Sequence, residues 1–89
     1  MPWWRSGRPN ARKREKARAL LAEARPEEAL RLLAGSAYGA GYDVDYFELL
    51  GLALLGCGQY ENAGRFLFLS GRRLPEYMAP IERFLSRHH

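Results

Sequence analysis

The 89-residue chain predicts an all-α fold: two helix-turn-helix hairpins stacked on one another, with a single helix covering the end. Three observations carry that prediction. The chain resembles itself at a shift of 34 residues, its apolar residues recur at helical spacing, and prolines and glycines stand where helices should begin and end. No run of alternating apolar and polar residues suggests a strand.

Sliding the chain against itself places Ala19, Leu20 and Leu21 on Ala53, Leu54 and Leu55. It also places Glu27, Ala29, Arg31, Leu33 and Ser36 on Glu61, Ala63, Arg65, Leu67 and Ser70. Leu32 with Phe66 and Ala24 with Gly58 are conservative pairs. Each copy should fold as one unit that buries its apolar surface by stacking on a neighbour. The copies span about residues 10–36 and 44–71, within one helical domain of residues 10–87; residues 1–9 form a basic, tryptophan-containing arm.

The first helix is expected over residues 10–24, with Ala17, Leu20, Leu21 and Ala24 on one face. Pro26 opens the second, where a missing N–H is harmless, and Glu27 and Glu28 suit the positive end of the helix dipole; Gly35 ends it. Asp45, with Glu48 three residues later, reads as the cap of a third helix reaching Leu55. Gly56 and Gly58 should end that helix and turn the chain into a fourth, over residues 59–70. A glycine inside a helix costs about 0.5–1 kcal/mol relative to alanine, so close packing must offset Gly51 and Gly64. Together with Ala63 they are expected where the two helices of this hairpin approach.

The run Phe66-Leu67-Phe68-Leu69 covers most of a helical turn and should meet more than its own hairpin. Pro75 opens a fifth helix, to about residue 87, with Met78, Ile81, Phe84 and Leu85 on one face. It falls in the first-helix slot of a third copy that is not completed, and should cover Phe66, Phe68 and Leu69.

The period and the second copy resemble the tetratricopeptide repeat. Phe47 stands at the family's first aromatic position, Leu50-Gly51 match its Leu-Gly pair, and Gly58 and Tyr60 match the turn between its helices. Ala63 matches the small residue of the second helix and Pro75 the closing proline. The first copy matches less well, with Ala17, Ala24 and Pro26 in place of glycine, glycine and tyrosine. The AGRFLFLS segment is also similar to one in small uncharacterised bacterial proteins of this type.

The resemblance implies right-handed stacking and a concave groove, lined by the first helix of each repeat, that binds a peptide or protein. Carried over by alignment, the groove residues are Arg14, Arg18 and Leu21 from the first copy and Asp45, Glu48, Leu52 and Leu55 from the second. The subgroup that clamps a terminal carboxylate needs basic residues where this chain has Asp45 and Leu49, so that mode is not expected. Self-association is compatible with so short a groove. The loop of residues 35–43 is either a connector whose tyrosines lie back on the core or, through Tyr38 and Tyr42, an adaptable contact surface.

The formal charge of +4 is segregated. Residues 35–64 carry Asp43, Asp45, Glu48 and Glu61 and no basic side chain, whereas both flanks are rich in arginine. A groove running from basic to acidic suits a partner of mixed charge. Trp3 and Trp4 ahead of Arg5, Arg8, Arg12, Lys13, Arg14, Lys16 and Arg18 raise an alternative: stacking on bases while neutralising phosphates, or lying at an anionic membrane surface. The plainer reading is a solvated charged face.

No catalytic constellation, metal site or cofactor motif is legible, and a non-enzyme is expected. Cys57 has no second thiol to pair with, and His88 and His89 are two adjacent residues rather than a ligand set. No run approaches the roughly 20 apolar residues of a membrane span or the core of a secretion signal. A soluble cytoplasmic protein is expected, from a GC-rich bacterial genome, since arginine far outnumbers lysine and threonine is absent.

Overall fold

The computed structural model describes residues 11–35 and 43–88. Five α-helices follow one another: α1 (Ala11–Ala22), α2 (Pro26–Ala34), α3 (Val44–Gly56), α4 (Tyr60–Ser70) and α5 (Met78–His88), the last preceded by a single 3-10 turn at Pro75–Tyr77. No strand occurs among the described residues. Each helix packs on the next, α1 on α2, α2 on α3, α3 on α4 and α4 on α5, and α1 also touches α3. The N-terminal arm and the loop bearing Tyr38 and Tyr42 lie outside the described residues.

The internal repeat is written into the backbone. In the first turn the N–H of Glu23 donates to the carbonyls of Ala19 and Leu20, that of Ala24 to Leu21, and that of Arg25 back to Leu20 at 2.9 Å. In the second turn Cys57 donates to Ala53 and Leu54, Gly58 to Leu55, and Gln59 to Leu54 at 2.9 Å. Every donor and acceptor moves by the same 34 positions. The second residue after each first helix takes the left-handed conformation, Ala24 at φ 59° and Gly58 at φ 81°. The buried positions correspond as well: Ala17, Leu20, Ala29 and Leu33 in one hairpin, Gly51, Leu54, Ala63 and Leu67 in the other.

The hairpins are joined by Tyr46, which is wholly buried and donates its hydroxyl to the Leu33 carbonyl near the end of α2. That carbonyl lies in the last turn of a helix, where the only local donor is the N–H of the capping Gly35. The cap of α3 is Asp43 rather than the expected Asp45: its side chain accepts the Tyr46 N–H at 3.2 Å. Asp45 therefore lies in the first turn.

The small residues act as expected in kind but not always in place. A Cβ on Gly51 would lie 2.7 Å from the Leu67 side chain and 3.2 Å from the Ala63 carbonyl, which is the hairpin contact predicted. Gly64 instead opens α4 to the covering helix, because a Cβ there would overlap the carbonyl of Pro80. Gly56 still belongs to α3, and it admits the ring of Pro26 at the start of α2, 2.6 Å from where its Cβ would be. The crowded face of α4 divides similarly. Phe68 meets Phe84 of α5 at a ring-centroid distance of 6.1 Å, whereas Phe66 turns to Phe47 of α3 at 6.0 Å and the central core. Leu69 stays exposed, as do Leu74, Met78 and Leu85, so α5 covers only part of what the sequence assigned to it.

Candidate functional site

The first helices of the two hairpins, α1 and α3, lie side by side, and their C-terminal halves bound a cleft of about 560 Å3. Leu21 stands on one side and Leu52, Leu55 and Gly56 on the other, with Ala24 and Pro26 from the first turn closing the end. The Pro26–Gly56 approach sets how near α2 comes to α3, and so fixes that end. Leu21 and Leu55 pack on the central core, and Leu52 on a second cluster of Leu67, Tyr77 and Ile81. All three leucines remain partly exposed within the cleft. Its volume falls in the range of about 300–1,000 Å3 usual for ligand sites.

The sequence-derived charged residues do not join this apolar surface as a group. Arg14 is buried and donates to Asp43 at 2.7 Å, tying α1 to the start of α3. Arg18 is exposed, one turn before Leu21 on the same helix. Asp45 and Glu48 are held by Arg72, whose guanidinium donates to Asp45 at 2.7 Å and to Glu48. Glu48 also accepts the Tyr77 hydroxyl at 2.7 Å. Burial first, and then this hydrogen bond to a carboxylate, push the Tyr77 hydroxyl pKa well above its usual value.

These polar ties share the symmetry of the fold. Positions 14 and 48 are repeat partners, as are 43 and 77, so Arg14 on Asp43 in one copy becomes Tyr77 on Glu48 in the next, with donor and acceptor exchanged. In both copies a side chain of the first helix is tied to the residue that leads into the following first helix.

No family model, curated protein or solved structure matches the chain.

Arg72 and Tyr77, which hold Asp45 and Glu48, carry no groove signal in the sequence. Arg72 falls opposite Tyr38 in the repeat alignment, and so carried no ionic signal. It reaches α3 because Gly71 turns the chain at φ 79° beyond α4, while the Ser70 hydroxyl accepts the Arg72 N–H at 3.2 Å. Tyr77 carried a faint signal, since its repeat partner Asp43 precedes a helix in the same way. Ala24, Pro26 and Gly56 complete the cleft, although by sequence Ala24 belongs to the apolar face of the first helix and Pro26 and Gly56 mark helix ends.

Other chemistry is sparse. Cys57 is half-buried, and burial followed by the charge of Glu27 raises its thiol pKa, which lowers its thiolate fraction and reactivity. Among the described residues no group of three His, Cys, Asp or Glu side chains is arranged to hold a metal. Among those residues no helix is long and apolar enough to cross a membrane.

Proposed function

We propose that the chain is a non-catalytic protein-interaction module of tetratricopeptide-like type, which holds a segment of a protein partner in the cleft between α1 and α3. The observation that carries this reading is the convergence of Leu21, Leu52 and Leu55 on one preformed apolar cleft. Helix-helix packing already fixes these side chains, so a partner would meet a surface that needs little ordering on binding. An adaptor, a small chaperone and an inhibitor-type partner all use such a surface, and a cytoplasmic setting fits a single free thiol.

The basic arm supports the alternative, a nucleic acid or an anionic membrane surface, through the exposed Arg12 and Lys16 that continue it along α1. One experiment separates the two. A photo-crosslinking residue placed at position 55 is irradiated in source-cell extract, in the wild-type background and with Leu52→Glu. A discrete protein adduct that disappears in Leu52→Glu is the expected result. Recovery of nucleic acid or lipid that survives Leu52→Glu and is lost on deleting residues 1–9 would shift the function to the arm.

A further inference from the structure

We infer that the segment taken by the cleft pairs apolar side chains with a carboxylate, and that Arg18 is the residue that reads the charge; this rests on the cleft being the binding surface. By its sequence the groove would run from basic to acidic and suit a partner of mixed charge. Side-chain pairing weakens the acidic half. Asp45 and Glu48 share the single guanidinium of Arg72, and Glu48 also accepts the Tyr77 hydroxyl. At the basic end Arg14 is committed to Asp43. Arg25, after the first turn, is paired with Glu23 and Glu28.

Arg18 differs from these. It is exposed beside Leu21, and among the described residues it makes no hydrogen bond or ion pair, not even with Glu15 one turn away. A guanidinium next to an apolar rim is partly shielded from water once that rim is covered, and its fork of N–H donors fits a carboxylate with two parallel bonds. An incoming lysine or arginine would meet a like charge there. Arg18 thus leaves an uncommitted cation one helical turn from Leu21, and the carboxylate of a bound segment lies toward it.

The test selects short random peptides displayed on phage against the wild-type protein, Leu52→Glu and Arg18→Glu. Enriched sequences are resynthesised with free and amidated C termini and measured by fluorescence anisotropy, with circular dichroism confirming that each variant is folded. The expected winners carry several Leu, Ile, Phe or Met residues and a net negative charge, and Leu52→Glu abolishes their binding. Arg18→Glu should weaken them about tenfold or more and reverse the preferred sign of charge. Affinity that survives amidation assigns the carboxylate to a side chain, and affinity lost on amidation to a chain end; either supports the inference. Apolar winners that depend on Leu52 but show no preference for acid overturn the inference and leave the cleft standing. Enrichment of nothing, or of peptides indifferent to Leu52→Glu, overturns both.

Discussion

Ala24 occupies the backbone position at which its repeat partner is glycine, and it does so at φ 59°. A left-handed backbone costs an L-residue about 1–2 kcal/mol, because its Cβ crowds the following carbonyl. Glycine escapes that crowding but loses more freedom on folding, about 0.5–1 kcal/mol. Ala24→Gly should therefore stabilise the protein by about 0.5–1 kcal/mol, read as a higher midpoint in urea denaturation. Gly58→Ala should do the reverse by a similar amount. A Cβ at Gly58 would meet nothing within 4 Å, so any loss there is conformational rather than steric. An unchanged or lowered midpoint for Ala24→Gly would mean that the first turn has relaxed around its alanine. The sequence alignment of Ala24 with Gly58 already contained this turn; the buried pair of Arg14 and Asp43 was not legible at the same scale. Arginine at a helical position beside leucines reads as a groove residue until the carboxylate 29 residues away is seen against it.

At the scale of helices, the number, order and approximate bounds of the elements were readable because caps, prolines and apolar spacing all agreed. What each small or aromatic residue would touch was harder to read. Helix α4 is apolar on two flanks, one toward α3 and one toward α5, and periodicity cannot say which flank a given residue serves. Gly64 and Phe66 were assigned to the wrong neighbours for that reason. The two helix-interior glycines now make a contrast that can be measured. At Gly64 an added methyl group would overlap backbone, the Pro80 carbonyl, so α5 must shift as a body. At Gly51 it would meet the buried Leu67 side chain at 2.7 Å, with the Ala63 carbonyl no nearer than 3.2 Å, so a side chain rather than a helix must give, and alanine's better helix propensity of about 0.5–1 kcal/mol offsets part of the cost. Gly64→Ala should destabilise by about 1–3 kcal/mol, the usual cost of overpacking, and speed amide exchange throughout α5. Gly51→Ala should cost less and leave α5 exchange unchanged. Equal costs, with equal exchange in α5, would show that the covering helix is not seated through Gly64.

Across the whole molecule the polar ties recur with the repeat, Arg14 to Asp43 and Tyr77 to Glu48, and each holds one first helix to the approach of the next. The sequence did reveal the duplication that makes this possible. It could not reveal the ties, because donor and acceptor change places between copies and the residue identities do not repeat. The Tyr77 tie gives stability a pH dependence whose sign can be worked out. A tyrosine in the unfolded chain ionises near pH 10. Burial, and next the Glu48 carboxylate, keep the native Tyr77 hydroxyl protonated well above that. Above about pH 10 the native state thus binds more protons than the unfolded state, and unfolding free energy falls as pH rises. The contribution is complete from neutral pH to about pH 9 and is lost progressively at higher pH. Tyr77→Phe removes both the hydrogen bond and this titration. It should lower stability by about 0.5–1.5 kcal/mol at pH 7, where Glu48 still has Arg72, and the difference from wild type should narrow as pH passes 10. Denaturant titrations of the two proteins at pH 7, 9 and 10.5 would measure it; parallel stability curves at all three values would place the Tyr77 hydroxyl in water rather than on Glu48.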